Sequence, residues 1–191
     1  MADWPPEEEY PFLPADTMQL KVRRGEAVRS AMAPVVVGIS EDGYREILGF
    51  KIALRETGES WRELLGELKK RGLSGVELAT SDAHEAFEEG LLDATAVLAL
   101  PEKYRERLRT TNMMERLIQE IRRREKVIRI FPNKASAWRL VGALLAEKHE
   151  EWSTGRRYWT IEEFYEWRTR EPGRDAQELK SESPSPTLQP A

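Results

Sequence analysis

The spacing of apolar residues changes period along the chain, and each change marks an element. Between Asp16 and Arg23 the pattern alternates, with Met18, Leu20 and Val22 on one side and Gln19, Lys21 and Arg23 on the other. Successive strand side chains point to opposite faces, so this segment predicts a half-buried strand. Asp16 shares the parity of the apolar set and is expected on the packed side of the sheet. Arg24-Gly25-Glu26 suits a turn, and Ala27 to Ser40 reads as a second strand centred on Val35-Val36-Val37. Pro34 predicts a bulge there or a late start. Glu41-Asp42-Gly43 suits a hairpin turn, and Tyr44 to Leu54 supplies a third strand, completing an antiparallel meander.

The period then lengthens. Trp61, Leu64, Leu65 and Leu68 lie on one helical face. Ser60 and Glu63 form a capping box at its start, and Gly72 fits its C-terminal cap. The run from Gly75 to Thr80 reads as a short buried strand, and Ala83 to Leu92 reads as helical. Beyond Pro101, Thr110-Thr111-Asn112 offers caps to a helix bearing Met114, Leu117, Ile118 and Ile121. Phe131-Pro132 interrupts, and Asn133 is placed to cap a long helix with Ala137, Trp138, Leu140, Val141, Leu144 and Leu145. Pro5, Pro6, Pro11 and Pro14 make residues 1–15 an irregular arm. Residues 158–170 predict a short aromatic surface helix, and 171–191 a Pro- and Ser-rich disordered tail. The order β-β-β-α-β-α matches the opening of an α/β, ribonuclease-H-like domain: a mixed sheet with flanking helices.

Composition narrows the chemistry. The 191 residues support one domain. With no cysteine, disulfides, zinc-thiolate sites and cysteine nucleophiles are excluded. His84 and His149 are too few for a histidine-based metal centre. No apolar run approaches the roughly 20 residues of a membrane span, and the acidic, proline-bearing start is unlike a signal peptide. The expected location is the cytoplasm. The net charge of −4 hides an uneven distribution. Acid collects in Glu7-Glu8-Glu9 and around Glu162-Glu163-Glu166, whereas Lys103 to Lys134 is strongly basic. That is the electrostatic footprint of a surface that contacts a nucleic-acid backbone. Arg109, Arg116, Arg122, Arg123, Arg124 and Lys126 are the candidate phosphate contacts, because guanidinium groups fork onto phosphate oxygens.

The segment S-D-A-H-E, Ser81 to Glu85, carries the sharpest chemical hint. Asp82 follows an apolar run, and the C-terminal ends of sheet strands are where open α/β folds place their chemistry. Asp16 and Glu115 can join it. Three carboxylates on three elements suit a divalent-metal site for phosphoryl transfer, in which two ions about 4 Å apart are bridged and flanked by carboxylates. Hard oxygen ligands favour magnesium or manganese. Each acid also has a structural reading: Asp16 as a strand cap, Asp82 as a helix N-cap, and Glu115 as a complement to a helix dipole.

Several longer words stand in line. They are V-V-V-G-I-S-E-D-G-Y-R-E-I-L-G-F, E-S-W-R-E-L-L-G-E-L-K-K-R-G-L-S-G-V-E-L-A-T-S-D-A-H-E, R-L-R-T-T-N-M-M-E-R-L-I-Q-E-I-R-R-R and F-P-N-K-A-S-A-W-R-L-V-G-A-L-L-A-E-K-H-E-E-W. Together, roughly from Tyr10 to Thr160, they resemble the mutator-type transposases of bacterial insertion sequences. The resemblance implies a ribonuclease-H-like core over residues 16–157 and a DDE triad. Asp16 matches the first acid, Asp82 the second and Glu115 the third, with magnesium or manganese as cofactor. It implies metal-dependent DNA cleavage and strand transfer, with double-stranded DNA at element ends and target as partner. A homo-oligomer, or association with full-length transposase, is also implied.

Three departures shape the expectation. Gln19 stands where the family's first word has tyrosine. The family carries a DNA-binding region before its first acid, whereas this chain begins close to Asp16. The family also places a core strand, a C-x-x-H word and a helical insertion between its second and third acids. Here Glu85 runs almost directly into Leu98-Ala99-Leu100-Pro101-Glu102. The expectation is a truncated, internally deleted core, with Thr95 to Leu100 as the segment apolar enough to replace the lost strand. The alternative function is a catalytically inactive remnant that binds DNA or full-length transposase.

Overall fold

In the computed structural model of the protein, residues 9–53, 58–81, 112–155 and 157–158 are described. Two long strands, β1 (Phe12–Arg24) and β2 (Ala27–Ile39), run antiparallel and turn at Gly25, whose φ of 59° favours glycine. β3 (Arg45–Phe50) follows the turn at Gly43 and pairs antiparallel with the far half of β2. Helix α1 (Gly58–Lys70) leads to β4 (Leu78–Ser81), which pairs in parallel with β1. The sheet order is β3-β2-β1-β4. Two further helices complete the described fold: α2 (Asn112–Glu125) and α3 (Lys134–Ser153).

The strand alternation read from the sequence divides the core between the two sheet faces. Met18, Leu20 and Val22 pack with Val35 and Val37 against Met114, Leu117, Ile118 and Ile121 of α2 and Val141 and Leu145 of α3. The opposite face carries Leu13, Ala15, Val36 and Leu48 beneath Trp61, Leu64, Leu65 and Leu68 of α1. Tyr10 closes this second core, and its hydroxyl donates to Glu46 Oε2 at 2.8 Å. Each fully buried large apolar side chain is worth about 1.5–3 kcal/mol over its exposed state.

Local signals place several helix ends correctly. Asn133 caps α3, accepting a hydrogen bond from Ser136 N at 2.8 Å. Gly72, at φ 108°, ends α1: Leu73 N donates to Leu68 O at 3.0 Å and Gly72 N to Lys69 O at 3.1 Å. Those two bonds form a Schellman motif, and Leu73 and Leu68 add its apolar contact.

Other boundaries differ from the sequence reading. β1 begins at Phe12, so the end of the expected arm belongs to the strand: Phe12 to Ala15 pair with Leu78 to Ser81. β2 runs through Pro34 unbroken, and its irregularity falls at Val36/Val37. Pro34 is tolerated because it lies just past the regular β2–β3 pairing, which ends at Val35 and Phe50, and its carbonyl still accepts from Lys51 N at 3.1 Å. β3 stops at Phe50, with one further bridge from Ala53 to Met32. The expected capping box does not form, because α1 starts at Gly58 and the Glu63 carboxylate is bonded to the Lys51 ammonium. β4 occupies 78–81, later than the expected 75–80. Thr95–Leu100, the helix over 83–92, and the segments 159–170 and 171–191 lie outside the described residues.

Candidate functional site

Asp16 stands on β1 opposite Val35, on the sheet face that α2 and α3 cover, and is half-buried. Its Oδ1 accepts a hydrogen bond from Thr17 N at 2.6 Å, which fixes the carboxylate relative to the strand. The sequence parity of Asp16 predicted this face. One step earlier on β1, Ala15 pairs in parallel with Ser81, the last residue of β4, and Asp82 follows Ser81 in sequence. Asp82 lies outside the described residues, as do His84 and Arg109.

Glu115 sits in the first turn of α2 and is exposed. The placement of α2 along the sheet follows from its C-terminal end. Beyond its C-terminus Phe131 bridges Val22, donating to Lys21 O at 2.8 Å and accepting from Arg23 N at 2.8 Å. Near its start, Arg116 lies close enough to Arg45 to act on it electrostatically. Arg45 opens β3 opposite Ile39, which in turn stands opposite Phe12. Through the Phe131 bridge, the end of α2 therefore lies toward the Val22 half of β1. Glu115 thus stands on the helix that packs over the sheet face to which Asp16 belongs. Among the described residues no three His, Asp or Glu side chains are grouped closely enough to hold a metal ion.

The α2 cations divide by role. Arg124 forks onto Glu147 of α3 at 2.9 and 3.2 Å and also reaches Glu120 at 3.3 Å. It thereby fastens α2 to α3. Arg123 bonds Glu120 at 2.9 Å, and this hydrogen bond is the main reason the Glu120 carboxyl is held below its usual range. Arg116, Arg122 and Lys126 are exposed. Arg45 is held between the rings of Trp152 and Tyr158, at 4.5 and 4.9 Å from their centroids. Burial is the first cause lowering its proton affinity. A cavity of about 330 Å³ between β3 and α3 is lined, among the described residues, by Phe50, Trp138 and Leu145, with Arg71 and Arg139, and not by Asp16 or Glu115.

The family model described as "Transposase, Mutator family" matches residues 2–96 and 85–155. The chain belongs to the Mutator family of transposases. It is 33% identical to the transposase for insertion sequence element IS256 in transposon Tn4001 of Staphylococcus aureus, with 76% of this chain and 57% of the relative covered. It is 30% identical to the transposase for IS1081 of Mycobacterium tuberculosis, covering 80% of this chain and 55% of the relative. The transposase for ISRM5 of Rhizobium meliloti is also 30% identical, over 84% of this chain and 59% of the relative. The chain therefore spans somewhat more than half the length of these transposases.

The match to the Staphylococcus aureus transposase runs over 221 positions, more than this 191-residue chain contains, although only 76% of the chain takes part. The relative thus carries residues that this Mutator-family chain lacks inside the matched region. No helix among the described residues is long and apolar enough to cross a membrane. Sequence reading overlooked one set of cations, Lys21, Arg23, Arg24 and Arg29, at the exposed tip of the β1–β2 ribbon. The available signal was K-V-R-R immediately before a glycine turn, but only the three-dimensional structure joins it to the basic helix.

Proposed function

We propose that this Mutator-family chain acts on insertion-sequence DNA in the cytoplasm, cutting strands at element ends and joining them to target DNA. Asp16, Asp82 and Glu115 are the residues that carry the reaction. The observation that carries this reading is the parallel register of Ala15, the neighbour of Asp16, with Ser81, the residue that precedes Asp82 in sequence. The element order β-β-β-α-β, with a parallel fourth strand next to the first, supports a ribonuclease-H-like core.

The donor set is all oxygen, which fits magnesium or manganese and not a softer ion. Asp16, Asp82 and Glu115 would hold the metal, and when bound it would supply Lewis-acid stabilisation of charge on the phosphate oxygens. The chain's own part is orientation. The Thr17 amide holds the Asp16 carboxylate, and the apolar face Met114, Leu117, Ile118 and Ile121 fixes α2 and with it Glu115. Exposed Arg116, Arg122 and Lys126 hold the DNA backbone by charge. A homo-oligomer would bring two element ends together.

Nicking of supercoiled plasmid in magnesium or manganese tests the proposal. The chain is expected to nick, and Asp82→Asn and Glu115→Gln are each expected to abolish nicking while leaving the thermal transition in place. Undiminished nicking by either variant rejects the assignment. A second reading is favoured by the 221-position match: a chain lacking internal residues that binds DNA or full-length transposase without cutting. DNA binding with no metal-dependent nicking selects it.

A further inference from the structure

We propose that the tip of the β1–β2 ribbon and the α2–α3 turn form one binding surface for duplex DNA, separate from the carboxylates. The inference rests on the reading that the chain acts on DNA, and it names where the duplex is held. The ribbon outruns the rest of the sheet. β4 pairs only with Phe12 to Ala15 of β1, and regular β3 pairing stops at Val35 of β2. Beyond those limits, among the described residues, the two strands continue to Arg24 and Ala27 with single bridges from Ala53 to Met32 and from Phe131 to Val22, and from Lys21 to Ser30 every residue except Val22 is exposed.

Four cations, Lys21, Arg23, Arg24 and Arg29, occupy this tip against the single acid Glu26. Strand alternation and the Val22–Arg29 pair place Arg24 and Arg29 on the face of α2 and α3. The α2–α3 turn is pinned to the same place by the two backbone hydrogen bonds between Phe131 and β1. It adds Arg122, Lys126 and Arg129, all exposed. Glu125 ends α2 just before this turn; burial pushes its carboxyl up, and Arg122 and Lys21 act in the opposite sense.

Duplex DNA fits this arrangement better than a protein partner does. The major groove is about 12 Å wide and admits a two-stranded β-ribbon, and the flanking turn would meet the adjacent phosphates. Exposed Val127, Ile128 and Val28 lie among the cations as apolar contacts for sugars and base edges. The span is also suitable. Eight residues of β1 separate Asp16 from Arg24, roughly 27 Å at strand rise, which is about eight base pairs of axial length. The surface would grip the duplex to one side of the scissile bond.

The test is binding of a fluorescent duplex between about 50 and 200 mM salt, with chelator present so that carboxylate-bound metal plays no part. Its outcome is then independent of whether the chain nicks DNA. Arg24→Ala with Arg29→Ala is expected to weaken binding and to reduce the salt slope by about 1.8, because each phosphate contact contributes about 0.9. Arg122→Ala with Lys126→Ala reads the same surface from the helix side and should produce the same change. Lys69→Ala with Lys70→Ala, exposed at the end of α1 on the other sheet face, should leave the slope unaltered. The proposal is overturned if the intact chain fails to bind the duplex, or if the surface variants bind like the parent. It is equally overturned if the α1 control loses as much, or if the surface variants change the oligomeric state while DNA affinity stays the same.

Discussion

At position 38 the chain leaves no space for a methyl group. A Cβ on Gly38 would stand 2.8 Å from Leu48 Cδ1 and closer still to the Tyr10 ring. Tyr10 is held by its bond to Glu46, and both Tyr10 and Leu48 are buried in the α1-side core, so neither neighbour can yield cheaply. Gly38→Ala is expected to cost about 1–3 kcal/mol, the usual range for overpacking, measured as a shift in urea midpoint with unchanged slope. A single exposed carboxylate adds a small pH-dependent contribution. Hydrogen bonding to Lys51 is the first cause holding Glu63 below its ordinary value of 4.5. A depressed folded pKa gives stability that is present above the unfolded value and lost as pH falls through the folded one. Glu63→Gln should therefore lessen the fall in Tm as pH drops below 4.5, while the parent loses that contribution. An identical acid profile for parent and variant contradicts this.

At the scale of elements, α1 is the helix that packs on the second sheet face among the described residues. Leu65 is buried beneath it among Trp61, Leu64 and Leu68, with Val36 and Leu48 below. Leu65→Ala is expected to destabilise by about 2–5 kcal/mol, read from chemical denaturation. The sequence made most of these elements legible wherever the cause was local: the alternation of β1, the Gly72 and Asn133 caps, and the apolar face of α2. Non-local partners explain the failures. Lys51, brought up by β3, takes Glu63 away from the predicted capping box. Parallel pairing with β4 recruits Phe12 to Ala15 into β1 despite Pro11 and Pro14. No local pattern could reveal that Phe131 would dock on Lys21 and Arg23 and so join two basic segments distant in sequence.

For the whole molecule, the candidate site was half-visible in advance. The parity of Asp16 predicted its face, and the apolar stripe of α2 predicted a packed helix carrying Glu115, whereas the face on which it packs came only with the structure. The division of labour among cations was not visible. Arg124 and Arg123, expected as phosphate contacts, are exposed and also carry ion pairs with Glu147 and Glu120 that the sequence did not reveal. What the family match adds is ancestry together with a specific loss: a relative needs 221 positions where this chain has fewer residues. The central claim is that Asp16, Asp82 and Glu115 still form one metal-holding group after that loss. Thermal unfolding of the intact chain across a manganese titration, beside Asp16→Asn, tests it most directly. Binding to the folded state alone adds RT ln(1 + [L]/Kd), about 2.7 kcal/mol at a hundredfold excess over Kd. The account predicts that Tm climbs with manganese in the parent and stays flat in Asp16→Asn, and the same manganese response in both proteins would contradict it.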